Sequence, residues 1–138
     1  MKKLFCSVFL ILMIAGSVRA EDAKNIEVDV LAKTSTSWDG SALPDYVKGK
    51  PEIVILRITI APGVKLPLHK HPVINAGVLI SGQLTVITEE NKKLHLKAGD
   101  AIVEVVDKWH YGVNESNEPA EIIVFYADTP GTPITIKK

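Results

Sequence analysis

The sequence predicts an all-β domain, folded as a sandwich or barrel, and three observations lead to that prediction. Short runs rich in β-branched residues recur along the chain. Turn-forming glycine, proline, asparagine and aspartate residues separate these runs. Outside the N-terminal segment, no window of helical length carries an apolar face at i, i+3, i+4 spacing. Short strands that recur every 8–12 residues or so, with turn signals between them, are typical of β-sandwiches and barrels.

The first twenty residues differ in composition from the rest and predict an export signal. Lys2 and Lys3 precede an apolar run over 4–15, and Val18-Arg19-Ala20 has the small-x-small pattern of a cleavage site. A transmembrane anchor is the weaker alternative, because the apolar run is shorter than the ~18–20 residues that cross a bilayer. We therefore expect a signal peptide over residues 1–20 and a mature protein that is periplasmic or secreted.

Removal of residues 1–20 changes the charge and the cysteine content of the chain. The remaining 118 of the 138 residues suffice for one domain. Lys2, Lys3 and Arg19 are lost, so that 13 basic residues stand against 16 acidic ones. This slightly acidic chain without a basic run argues against nucleic acid and against a membrane surface as partners. Cys6, the only cysteine, is also lost, which excludes disulfides, thiolate ligands and a cysteine nucleophile from the mature protein.

The apolar runs give the elements in chain order. Alternation of Ile26, Val28 and Val30 with acidic residues predicts an N-terminal strand, and the polar residues 32–51, rich in Gly, Ser and Pro, predict a surface arm. The barrel is predicted over residues 52–138. Its strands are predicted at 52–60, 73–80, 83–88, 93–96, 101–106 and 121–127. The tail at 129–138 could add an edge strand, since its two prolines keep it out of the centre of a sheet.

Two histidines stand one residue apart in a segment of aliphatic residues and prolines. Residues two apart in a strand point to the same face, so that His69 and His71 are neighbours while Lys70 faces the other way. Neutral imidazoles placed in this way suit Zn, Cu, Fe or Ni. The spacing is equally compatible with two surface histidines in a turn, and a third ligand is needed to decide for a metal site.

The histidines belong to a longer pattern of glycines, histidines and asparagines with fixed spacing. The first part consists of Gly63, His69, His71, Asn75 and Gly82, and the second of Gly99, His110 and Asn114. In both spacing and order the pattern resembles the two motifs of the cupin family, in particular its small single-domain, conserved-barrel members. The resemblance implies a double-stranded β-helix, a jelly-roll-like barrel. It also implies that His69, His71 and His110 are metal ligands on facing strands and that the three glycines serve turns.

Three residues depart from the family's pattern. Asn75 stands where the first motif has a glutamate ligand, and Val105 and Asp107 replace a proline and a glycine of the second. Three neutral imidazoles leave a divalent ion its full charge, which makes it a stronger Lewis acid and more attractive to anions. Asn75 could bind the ion through its amide oxygen, orient a water, or mark a pocket that has lost its metal. Glu104 is a minor candidate for the missing carboxylate, because the turn after it prevents an inference from strand alternation.

Strand alternation also sorts the remaining candidate residues. His95 is expected to point to solvent and not to be a ligand. Trp109 and Tyr111 flank the third histidine and face away from it, which predicts a packing role. Phe125 and Tyr126 are adjacent, so that one of them lines the interior of the barrel.

Together with the predicted export signal, the resemblance favours an exported, metal-dependent enzyme that acts on a small anionic organic molecule. Cupins include dioxygenases, decarboxylases, lyases and isomerases, so that a dioxygenase-like reaction and a lyase or isomerase reaction are both open. The expected cofactor is a divalent transition metal ion: Fe, Mn, Zn, Cu or Ni. The alternative is a non-catalytic envelope module that binds a small ligand or a metal ion. The resemblance also leaves a homodimer open.

Overall fold

A computed structural model describes residues 26–138, and the predicted signal peptide over 1–20 lies outside the described residues. Within 26–138 every regular element is a strand, and no helix there is long and apolar enough to span a membrane. The strands are β1 (Glu52–Ile60), β2 (His69–Lys70), β3 (Ile74–Ser81), β4 (Gln83–Thr88), β5 (Lys93–Lys97), β6 (Ala101–Val103), β7 (His110–Val113), β8 (Ala120–Asp128) and β9 (Ile136–Lys137).

The strands form two antiparallel sheets. One has the order β1-β8-β3-β6 and the other the order β5-β4-β7-β2-β9. The chain passes from the first sheet to the second at Gly82, the single residue between β3 and β4. Sequential strands thus divide between two sheets, as in a jelly roll. The all-β, double-stranded β-helix fold expected from the sequence is therefore confirmed.

The apolar core lies between the two sheets. In β8, residues alternate between buried and more exposed, so that Ile122, Val124 and Tyr126 face inward while Phe125 is exposed on the outer face. The opposite sheet contributes Leu84 and Val86 of β4. Such alternation is expected where one face of each sheet is buried.

The predicted N-terminal strand is not formed. Ile26, Val28 and Val30 lie outside any strand and are 73–79% exposed. Their alternation is that of a half-buried strand, but a strand needs a neighbour for its backbone hydrogen bonds. None of the strands described in 26–138 pairs with this segment.

Part of the predicted surface arm packs on the barrel. Ser37 is buried, and its Oγ donates a hydrogen bond to the Glu104 carbonyl oxygen at 2.8 Å. The Trp38 backbone N–H donates to the Val103 carbonyl oxygen at 2.9 Å, and the indole packs against the core. These contacts place this part of the arm beside β6, while most of residues 32–51 are exposed. The sequence did not predict this contact of Trp38, because the residues around it are polar.

The chain departs from regular strand geometry just after β6. The predicted strand at 101–106 ends at Val103. Beyond it, the Glu104 N–H donates to the Asn75 carbonyl oxygen at 3.1 Å, and Val106 forms an isolated parallel bridge with His71. At the other end of the chain, β9 is the edge strand predicted for the tail. Both segments meet the histidines.

Candidate metal centre

The three predicted histidines come together between neighbouring strands. His69 on β2 and His110 on β7 are direct partners in the antiparallel register, and His71 follows immediately after β2. The ring centroids of the three imidazoles are 4.5–5.0 Å apart. One ring nitrogen from each lies within 4.8 Å of the other two. The expectation that His69 and His71 stand side by side is confirmed.

Each of these imidazoles is oriented by a backbone carbonyl. In all three, the Nδ1 atom lies at hydrogen-bonding distance from a carbonyl oxygen. The pairs are His69 with Pro67 at 2.8 Å, His71 with Ile134 at 2.8 Å and His110 with Lys108 at 2.9 Å. Because a carbonyl oxygen only accepts, Nδ1 must carry the hydrogen and donate it. In a neutral ring, the Nε2 lone pair is then free, which is the arrangement usual for a metal-binding histidine.

Burial keeps these rings neutral. It lowers the pKa of His69 and His110 below the ordinary value and lowers the pKa of His71 to about 4. For His69 and His71, the proximity of His110 lowers the pKa further, while the hydrogen bond to each backbone carbonyl opposes the shift. The imidazoles are therefore in the neutral form that binds metal at neutral pH.

The histidines line a cavity of about 300 Å³ between the two sheets. Most of its wall is aliphatic, as at Leu56, Ile58 and Val124. The polar groups that line it in addition to the histidines are Glu104, Tyr126, Thr135 and Lys137. A small, mainly apolar cavity with a few polar groups is the usual form of a ligand site.

Asn75 and Glu104 occupy different positions relative to this cavity. Asn75 is 1% exposed, its Oδ1 has no hydrogen-bond partner, and it is not among the residues that line the cavity. Glu104 lines it, with Oε2 3.6 Å from the His110 Nε2. The sequence ranked Asn75 above Glu104 because Asn75 stands at the glutamate position of the first motif, while the turn after Glu104 prevents an inference from strand alternation. Coordination by Asn75 stays a prediction.

The other candidates take the positions that strand alternation predicts. His95 on β5 is exposed and lies 2.9 Å, through Nδ1, from the Thr85 Oγ1. Trp109 and Tyr111 do not line the cavity, and the Lys65 Nζ lies 3.9 Å from the Tyr111 ring centroid. Tyr126, not its exposed neighbour, is the aromatic residue that lines the interior.

The donor atoms fit a divalent transition metal. Three imidazoles and a nearby carboxylate are ligands that suit Zn, Fe, Cu or Ni. Three buried atoms around the site have no hydrogen-bond partner: the Asn75 Oδ1, the Glu104 Oε2 and the His110 Nε2. Since buried polar atoms are normally satisfied, an ion between the histidines accounts for the unpaired nitrogen.

Residues 56–126, half of the chain, match the cupin domain. The chain belongs to the cupin family. No curated protein matches this cupin.

Solved structures share the fold of this cupin. An oxalate oxidase in complex with the substrate analogue glycolate is 25% identical, with a TM-score of 0.52, over 62% of this chain and 45% of its own. A DMSP lyase from Ruegeria pomeroyi DSS-3 is 16% identical, with a TM-score of 0.55, over 62% and 43%. An uncharacterised protein with a double-stranded β-helix domain from Klebsiella pneumoniae is 22% identical, with a TM-score of 0.54, over 86% and 95%. The match thus spans less than half of the two enzymes.

The departures of this cupin from the second motif leave the turn intact. Gly63, Gly82 and Gly99 have φ angles of 71°, 73° and 94°, which confirms that they serve turns. Asp107, in place of a glycine, has a φ of 56°, a left-handed conformation that aspartate tolerates better than most residues. Its N–H donates to the His71 carbonyl oxygen at 2.8 Å, so the turn is tied to the metal centre.

Proposed function

We propose that this cupin is an exported, metal-dependent enzyme acting on a small organic molecule that has an anionic head and an apolar body. The observation that carries the proposal is the set of three neutral imidazoles, each oriented through Nδ1 by a backbone carbonyl, at the wall of an apolar cavity. Export is proposed from the N-terminal segment. A dioxygenase-like reaction and a lyase or isomerase reaction are both compatible with such a site.

His69, His71 and His110 would hold the ion. When bound, a divalent transition metal supplies a Lewis acid with positions open to an anionic ligand. Cavity residues other than the histidines provide the rest of the binding site, because the aliphatic wall excludes water and takes up the apolar body of a ligand.

Two polar side chains favour an anionic head. Lys137 lines the cavity and lies close enough to His69 to lower its pKa, so that it places a positive charge beside the ion. Burial and the negative charge of Glu104 together raise the pKa of Tyr126 to about 12, so the phenol keeps its hydrogen as a donor. The complex of the structurally similar oxalate oxidase with glycolate, a small carboxylate, supports the same class of ligand.

Elemental analysis of protein purified from the exported fraction without chelators is the first test. We expect about one equivalent of a transition metal in the wild type. The H69A/H110A variant should contain none, and H95A, which changes an exposed histidine outside the cavity, should keep the metal. A loaded protein is then screened against small carboxylates with and without oxygen.

Two results would contradict the proposal. Metal-free wild-type protein that also fails to take up added Fe, Mn, Cu, Zn or Ni would remove the metal-dependent enzyme and leave a binding module that works by shape and hydrogen bonds. A loaded protein that binds carboxylates and converts none of them would contradict the enzyme while retaining the metal-binding cupin.

A further inference from the structure

Glu104 is a buried carboxylate with an unpaired oxygen beside the histidines. Its side chain is 11% exposed, and Oε2 has no hydrogen-bond partner. The nearest basic atom is the His110 Nε2 at 3.6 Å, which is itself unpaired. No lysine or arginine within residues 26–138 forms a salt bridge with it. A buried carboxylate ordinarily has a charged partner or binds a metal.

The backbone holds this side chain in the cavity. The Glu104 N–H donates to the Asn75 carbonyl oxygen at 3.1 Å, and the Glu104 carbonyl accepts from the Ser37 Oγ at 2.8 Å. One hydrogen bond ties the residue to β3 and the other ties it to the arm. Val105, the next residue, is fully buried. These two hydrogen bonds and the burial of Val105 hold the backbone of Glu104 in place, and its carboxylate lines the cavity.

We propose that Glu104 is the fourth ligand of the metal ion, supplying from the second motif the carboxylate that Asn75 does not supply from the first. This inference rests on the proposed function, since it assumes an ion held by the three histidines. At metal–ligand distances of about 2.0–2.2 Å, neighbouring donor atoms stand about 3.0–3.5 Å apart. The separation of 3.6 Å between the Glu104 Oε2 and the His110 Nε2 is close to that range. Within residues 26–138, only the three histidines have ligand atoms that all lie within 4.8 Å of one another, so a rotation of the Glu104 side chain completes the approach to the ion.

Burial without a charged partner disfavours the ionised form of Glu104. A cation in contact with the carboxylate favours its ionised form and offsets that cost. A carboxylate ligand also cancels one of the two charges of the ion. The expectation from sequence, an ion that keeps its full charge, is then replaced by a less strongly polarising centre.

The test compares metal affinities of isosteric variants. Purified full-length protein is stripped with chelator, loaded with Zn²⁺ or Co²⁺, and titrated against a competing chelator. E104Q should bind Zn²⁺ at least about 100-fold more weakly, the upper end of the loss found for outer-shell partners of ligands. The matched control is D128N, because Asp128 is also buried with an unpaired carboxylate oxygen but does not line the cavity. D128N should bind as the wild type does.

A further variant distinguishes coordination from a general effect on folding. E104D keeps the charge but withdraws the oxygen by one methylene, so it should bind more weakly and change the Co²⁺ absorption bands. E104D serves as the decisive variant if E104Q does not fold.

Two results separate the failure of this inference from that of the proposed function. Wild-type affinity and unchanged Co²⁺ bands in both E104Q and E104D would overturn Glu104 as a ligand and leave the three-histidine centre in place. Wild-type protein that binds neither ion would overturn the centre itself and the inference with it.

Discussion

Alanine substitutions at Gly82, between β3 and β4, and at Gly63 form a matched pair. The pair separates the cost of a left-handed backbone conformation from the cost of steric overlap. Gly82 has a φ of 73° and Gly63 a φ of 71°, so alanine at either position is forced into the same left-handed conformation. A Cβ at Gly82 would stand 2.5 Å from the Pro119 carbonyl oxygen and 2.9 Å from the Ala120 Cα. A Cβ at Gly63 would have no heavy atom within 4 Å.

The size of each effect follows from this geometry. The left-handed conformation costs alanine about 1–2 kcal/mol, and G63A should lower the free energy of unfolding by that amount alone. In G82A the overlap is with backbone atoms, which cannot rotate away, and relief of such overpacking costs about 1–3 kcal/mol more. We therefore expect G82A to lose about 2–5 kcal/mol. One kcal/mol corresponds to about 4 °C in the melting temperature of a domain of this size.

Urea unfolding of the metal-free proteins, followed by circular dichroism, measures both losses. Chelator is required because a bound ion would add a stabilisation that depends on the metal content of each preparation. The m-values should match that of the wild type, since the surface exposed on unfolding does not change. Equal losses in the two variants, within about 0.5 kcal/mol, would refute the role assigned to the close packing of Gly82 on Pro119 and Ala120.

Two other predictions concern the tail and the arm. Truncation after Pro133 removes the Ile134 carbonyl that orients His71 and should weaken Zn²⁺ binding about 10–100-fold in chelator competition; undiminished affinity would contradict a role for the tail. Burial tends to raise the pKa of Asp39, but hydrogen bonds from Lys108 and Ser41 outweigh it and hold that pKa well below its usual range. As pH falls, the Asp39 carboxylate is therefore protonated in the unfolded chain before it is protonated in the folded protein. The stability that the Asp39–Lys108 pair contributes is complete above pH ~4, the pKa of the unfolded chain, and is lost as pH falls through the lower pKa of the folded protein. Thermal melts should show D39N less stable than the wild type at pH 6, with a gap that narrows towards pH 2; a constant gap would contradict the pairing.

The histidine cluster could be predicted from one local rule and from the resemblance to the cupin motifs. Two-residue alternation places His69 beside His71, and the second motif implies His110 as the third ligand, which lies on the strand paired with β2. The strand at 52–60 and the edge strand of the tail were also predictable, from β-branched content and from the position of prolines.

The remaining features depend on contacts that sequence periodicity does not encode. Glu104 follows the last regular residue of β6, so strand alternation does not predict which way its side chain points. Hydrogen bonds of its backbone with Asn75 and Ser37 fix its position instead. The alternating residues around Val28 satisfy the pattern of a strand but find no partner in the described chain. Trp38 packs into the core from a segment whose composition is that of a loop.

The hydrogen bond between His71 and the Ile134 carbonyl joins residues that are 63 positions apart in the chain. Coupling between two binding events is reciprocal, so the factor by which the docked tail increases metal affinity is also the factor by which the metal favours docking of the tail. An ion at the histidines therefore stabilises the docked position of β9. The Lys138 amide donates to the Leu68 carbonyl oxygen at 3.0 Å and is exposed to exchange when the tail undocks. Its hydrogen exchange would slow on metal loading by the factor by which the docked tail increases metal affinity. The occupancy of the centre could thus be read from a backbone amide that touches no ligand.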